Sequence, residues 1–380
     1  MVRLNASVLM LMALSALAFA ADEVEKHADG SLKSRCALDK HHLRQGAFTA
    51  YHPGGKKVAE KAVYQAGKLV GQRQRFDDKG TVVADEFWVD GRLVFPRSIA
   101  FIEQGRKRIA IETPALVKAL PAATDPRAPK PEAQVQALEK LRVYRFLANV
   151  PDDVALDPAL SECCQRGAEL MAKLGHMEWQ PTKPADMSDQ VFALARRGCT
   201  ETNQCYGKSL PESIDQLMDD SDPSNIDRLL HRRKMLDPKA RVTGFGEANG
   251  YVSVHAGDKT RPQAIDVDFV AWPPPGYCPS DHFAPTTAWH ISFNPDRYDL
   301  IDAGTPMDIY PVDAALTRAA RPLELDYRHV GFDDFGMPGA IVIRPKDFAL
   351  AKGTLYEVVL TGLKPKGAHP ASVSYFVSFY

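Results

Sequence analysis

Between Gly46 and Leu93 the chain alternates short apolar and polar stretches with glycine-bearing turns. Ala50-Tyr51-His52-Pro53-Gly54-Gly55-Lys56 leads to Val63-Tyr64-Gln65-Ala66-Gly67-Lys68-Leu69. Arg75-Phe76-Asp77-Asp78-Lys79-Gly80 leads in the same way to Phe87-Trp88-Val89-Asp90-Gly91-Arg92-Leu93. Such alternation around Gly-Gly and Asp-x-Gly turns predicts β-hairpins, and recurrence at about 23–25 residues predicts a repeat array that stacks to bury its aromatics. Further along, the period lengthens to that of a helix. Ala137 to Phe146 reads as one helix, and Leu156-Asp157-Pro158 opens another with Asp157 as N-cap. Leu160, Cys163, Cys164, Gly167, Ala168, Met171 and Leu174 then fall on one stripe, which Gly175-His176 ends. Ser209-Leu210-Pro211-Glu212 reads as a capping box, with Ile214, Leu217 and Met218 behind it, and Asn225 to Met235 reads as mostly helical. Thr243 to Gly246 and Tyr251 to His255 read as strands. After Asn294 period two returns in Leu323–Tyr327, Ala340–Ile343, Leu355–Leu360 and Val373–Phe379, which predicts a β-sandwich. Helices followed by strands make the class α+β.

At 380 residues the chain exceeds what one growing core accommodates, so several domains are expected. The boundaries suggested are 1–20, 21–113, 114–133, 134–294 and 295–380, with Pro114, Pro121, Pro126, Pro129 and Pro131 giving the third segment linker composition. The net charge of −1 selects neither nucleic acid nor an anionic surface. Arg3, the apolar run Leu4 to Phe19 and the small-x-small site Ala18-Phe19-Ala20 have the form of a cleaved secretory signal. Export to a secreted or periplasmic location follows, with no transmembrane anchor after cleavage. In an oxidising compartment the six cysteines suggest disulfides, and Cys199 and Cys205, flanking a polar stretch, are the expected pair.

The hairpin region resembles the MORN-repeat group. Leu138-Glu139-Lys140-Leu141-Arg142, the Leu156–Leu160 segment, Leu174-Gly175-His176 and above all Asn225 to Pro238 running on to Val242-Thr243-Gly244-Phe245-Gly246 resemble the CAP superfamily of cysteine-rich secretory, antigen 5 and pathogenesis-related proteins. Ala271 to Tyr277, with Trp289 and Phe293, resembles a segment that follows the domain in one bacterial branch. The likeness covers about Gln134 to Asn294. It implies a central α-β-α sandwich, here flanked by the hairpin array and the β-sandwich, with a cleft in which two histidines and two acids can hold a divalent cation such as zinc. His176 and His231 match the histidine positions, and imidazoles with carboxylates suit zinc. Near Thr202-Asn203, where the family's Gly-Glu-Asn motif falls, no Glu occupies the matching place. Glu212 lies where a second acid could stand, although the capping box already accounts for it. Asp219-Asp220-Ser221-Asp222 lacks the Gly and Glu of a calcium loop and reads as a solvated turn. Gly244-Phe245-Gly246 is not a phosphate loop, and no G-x-S-x-G, H-E-x-x-H or Walker motif is present. The leading expectation is therefore a non-enzymatic binding module for an envelope or extracellular protein, lipid or glycan. A metal-dependent, peptidase-like hydrolase using His176 and His231 is the alternative, and an architectural envelope protein a third.

Overall fold

A computed structural model describes residues 21–117, 131–262, 266–299 and 301–380; the expected signal segment lies outside them. The amino-terminal sheet runs through β1 (Ala21–Lys26), β2 (Leu32–Leu38), β3 (Arg44–Tyr51), β4 (Val58–Gln65), β5 (Lys68–Leu69), β6 (Gly71–Phe76), β7 (Val82–Val89) and β8 (Arg92–Phe95), each pair antiparallel. Its turns repeat every 25 residues. His27, His52 and Asp77 each accept from the glycine three residues on, at 2.9, 3.0 and 3.0 Å. The His27 and His52 rings bond the Tyr51 and Phe76 carbonyls, both at 3.0 Å. Two units, headed by His52 and Asp77, are legible in the sequence; the hydrogen bonds add a third, headed by His27. Cys36, Phe48 and Ala62 face one another across β2, β3 and β4 and form a small buried cluster, with the Arg44 guanidinium 4.9 Å above the Phe48 ring. After β8 the chain turns helical, as α1 (Ile99–Val117), where hairpin structure was expected to continue to residue 113. Pro114 belongs to this helix rather than to a linker, and 118–130 lie outside the described residues.

The middle of the chain comprises α2 (Pro131–Leu147), β9 (Ala155–Leu156), α3 (Pro158–Leu174), α4 (Asp189–Thr200), β10 (Asn203–Tyr206), α5 (Leu210–Asp219), α6 (Leu230–Met235), β11 (Val242–Ala248) and β12 (Tyr251–His255). The strands form one sheet in the order β10-β12-β11-β9. Alternation along β12 sends Val252 and Val254 into the core that holds Leu210 and Ile214 of α5, and sends Tyr251 to the cluster of Leu170, Met171 and Ala195 on α3 and α4. Helices therefore cover both faces, with α2 packed against α5. Asp157 caps α3 by accepting from Leu160 N at 2.9 Å, and Gly175 ends it with φ 79°, as the sequence indicated. The segment from Asn225 is helical only from Leu230. Leu229 sits at φ 44°, and the Asp222 carboxylate draws Ser224 and Asn225 into a turn instead.

The carboxy-terminal part contains β13 (Phe269–Trp272), β14 (Gly276–Cys278), β15 (Trp289–Phe293), β16 (Met307–Val312), β17 (Leu325–Gly331), β18 (Ala340–Pro345), β19 (Leu355–Leu360) and β20 (Val373–Phe379). Two four-stranded sheets result, ordered β13-β15-β18-β17 and β14-β20-β19-β16. They meet through aromatic side chains, Trp289 of one lying 6.1 Å from Phe379 and 6.3 Å from Tyr356 of the other. The sequence-based boundary at 294/295 is moved by strand pairing: β13, β14 and β15 all belong to this two-sheet unit. The described chain is thus mixed α and β, with 20 strands in four sheets and six α-helices. No helix among the described residues is long and apolar enough to cross a membrane.

Candidate functional site

A buried titratable pair lies where α5 hands over to α6. α5 stops at Asp219, and Asp220 takes the left-handed conformation at φ 48°. That turn aims its carboxylate at the start of α6. Oδ2 accepts from His231 N at 2.9 Å and from Arg232 N at 3.3 Å, while Oδ1 lies 2.7 Å from His231 Nδ1. The Asp220 side chain is 1% exposed and that of His231 11%. An ionised carboxylate can only accept, so Nδ1 carries the proton and Nε2 keeps its lone pair when the ring is neutral. Nε2 has no hydrogen-bond partner among the described residues. The pair thus presents one oriented imidazole nitrogen. The acidic run around it is not the solvated turn its composition suggested: Asp219 accepts the Thr287 hydroxyl at 2.7 Å, and Asp220 is buried.

The two arginines after His231 have a structural task. Arg232 donates to the Met218 and Ala288 carbonyls, both at 2.6 Å, and to that of Asp219. Arg233 donates to Arg228, Asp333 and Met337 carbonyls at 3.1, 2.8 and 3.0 Å. Burial without an equal opposing charge lowers each guanidinium to about 10. These bonds tie α6 to the two-sheet unit. Asn203 of β10 touches the same segment, its amide 3.4 Å from the His231 carbonyl, and its buried Oδ1 has no partner among the described residues.

The other expected residues are not gathered here. His176 follows the cap of α3, with Nδ1 3.2 Å from the Leu174 carbonyl and Nε2 3.7 Å from Glu178, and its side chain is 60% exposed. Its loop is held by Gln204, which donates to the Glu178 carbonyl at 2.8 Å. Glu212 accepts from Ser209 N at 3.0 Å and Ser209 Oγ at 2.6 Å, bonds that hold its carboxyl below the usual range. Among the described residues no group of three or more His, Cys, Asp or Glu is placed to hold a metal. The donors present do not fit a resident zinc: Glu212 is committed to its cap, Asp220 to α6, and His176 faces Glu178.

Cys199 and Cys205 are free thiols, as are all six cysteines, which corrects the expected bridge. They point into different cores. Cys199 on α4 packs beside Leu170 and donates toward the Gly167 carbonyl at 3.7 Å, whereas Cys205 on β10 meets Gln216 of α5 at 3.0 Å. Burial pushes the Cys199 thiol up to about 12. A depression of about 460 Å³ lies between α3, the start of α4 and the β11–β12 turn, lined by Arg166, Glu169, Lys173, Met187, Val191 and Asn249 among others. Neither histidine borders it. Asp220 is the residue that sequence reasoning missed; its only signal was an acid eleven positions before a histidine already under suspicion.

No family model, curated protein or solved structure matches this chain.

Proposed function

We propose that the chain is an exported, non-enzymatic binding protein: a CAP-like α-β-α unit with a MORN-like hairpin array before it and a β-sandwich behind it. Its partner is a protein, lipid or glycan of the envelope or the extracellular space. The observation that carries this reading is the array itself. Three hairpin units form a long sheet that packs on the rest of the molecule through its last strands, where Val94 meets Leu355 and Phe376. On the face opposite Cys36, Phe48 and Ala62, Val24 and Val63 stand 51% and 42% exposed beside Arg35 and Lys61. Apolar groups ringed by charge on an open face suit a partner surface. The signal-like segment Leu4 to Ala20 supports export.

The Asp220–His231 pair favours a second reading, hydrolysis with His231 Nε2 as general base, since carboxylate-oriented imidazoles serve that role. One set of variants separates the two. Sedimentation with envelope fractions should retain the parent chain and His231→Ala alike, and Val24→Asp/Val63→Asp should lose retention at unchanged thermal stability. Retention of the double variant would overturn the binding surface. Hydrolysis of a peptide or ester panel that disappears in His231→Ala would establish the second reading.

A further inference from the structure

His290 occupies the joint between α6 and the two-sheet unit. It lies on β15, opposite Trp272 of β13 and Val342 of β18. Trp289, Ile291 and Phe293 point into the aromatic core, so Ala288, His290 and Ser292 point the other way, toward α6. The joint is closed on all sides. Arg232 reaches the Ala288 carbonyl at 2.6 Å, Ser221 Oγ accepts from Ala288 N at 2.9 Å, and Ile226, Leu229, Ala340 and Val342 form an apolar collar. His290 is 1% exposed, and its Nδ1 has no hydrogen-bond partner among the described residues.

The charges around it are one-sided. α6 contributes Arg232 and Arg233. At the end of α5, Asp219 is engaged by Thr287 and Asp220 by His231 and Arg232. Tyr144 of α2, behind Trp272, gives its hydroxyl to Asp215 at 3.0 Å, and His329 of β17 lies beyond Val342 in the same row. No carboxylate among the described residues forms an ion pair with His290.

We propose that this joint is an acid-sensitive latch, in which protonation of His290 parts α6 from β15. A third positive charge beside two desolvated guanidiniums has no carboxylate of its own among the described residues, since Asp219 and Asp220 are already engaged. Burial first, and then the two arginines, hold the imidazole well below its ordinary 6.5. The closed joint is therefore fully stable above pH 6.5 and loses stability as pH falls below it, because only the opened form takes up the proton. The opening constant rises about tenfold per pH unit across that window. Since α6 also carries His231, opening the latch loosens the Asp220–His231 pair with it.

Hydrogen exchange of the full chain at pH 7.5 and 5.0, corrected for intrinsic rates, tests the latch. Peptides covering Leu230–Met235 and Trp289–Phe293 should gain exchange at pH 5.0 in the parent and in a His329→Gln control, and stay flat in His290→Gln. An equal gain in His290→Gln, or none in the parent, overturns the proposal. Should His290→Gln fail to fold, the ring resonances of His290 in the parent decide. A ring that stays neutral in the closed form well below pH 6.5 supports the latch, and a midpoint near 6.5 in that form sinks it.

Discussion

The Asp220 carboxylate satisfies three N–H groups with two oxygens, and two of those groups are first-turn amides of α6, those of His231 and Arg232. A helix start that is buried needs such an acceptor, and α6 lacks a capping side chain at Leu229. Asp220→Asn keeps the volume but turns half of the acceptor into a donor. The expected loss is about 1–3 kcal/mol in denaturant unfolding, the range for stranding buried donors. Nitrogen chemical shifts of the His231 ring should at the same time move from a single Nδ1–H tautomer to a mixture; an unchanged tautomer would show that Asp220 does not orient the ring. His231 was visible in the sequence because it sits in a distinctive run. Asp220 was not, since a string of acids reads as solvent-facing and its partner lies across a loop that no periodicity describes.

At the scale of elements, α3 and α4 cross by backbone contact. A Cβ placed on Gly198 would lie 1.9 Å from the Cys163 carbonyl oxygen, and one on Gly246 of β11 would lie 2.2 Å from the Cys164 carbonyl carbon. The stripe of small residues on α3 announced close packing, and its purpose is this approach to a helix on one side and a strand on the other. Helix propensity favours Gly198→Ala by about 1 kcal/mol, but overpacking costs about 1–3 kcal/mol and here meets backbone, which cannot swing aside. The expected outcome is a lowered thermal midpoint; a raised one would mean that α4 slides freely on α3. α4 itself escaped sequence reading because Cys199 and Cys205 framed a polar stretch that looked like a stapled loop. The cysteines serve as small buried groups on opposite faces of a sheet, a role that six cysteines behind a signal-like segment do not suggest.

The molecule is held together by buried charges at its joints, and these set an order in which acid would take it apart. Where α6 meets β15, His290 withdraws stability as pH falls below 6.5. Where the hairpin array meets the two-sheet unit, Glu357 of β19 is 0% exposed and receives Arg92 of β8 at 2.5 Å and Arg318 at 2.7 Å. Burial pushes its carboxyl up, but hydrogen bonding to Arg318 and the charge of Arg92 outweigh it, so the group rests below its ordinary 4.5. Its contribution is complete above pH 4.5 and fades as pH falls through the folded value, a window lower than that of His290. Glu357→Gln should cost about 1–2 kcal/mol at pH 7, less than the ~3–5 kcal/mol of a fully buried broken pair, because both arginines can rehydrate. Their side chains are 44% and 43% exposed, which is what allows it. The gap in thermal midpoint between parent and variant should narrow below pH 4.5, as the parent loses its own charge. A gap that stays constant down to pH 3 would show that the array is held by Val94, Leu355 and Phe376 alone, with the ion triad adding register rather than stability.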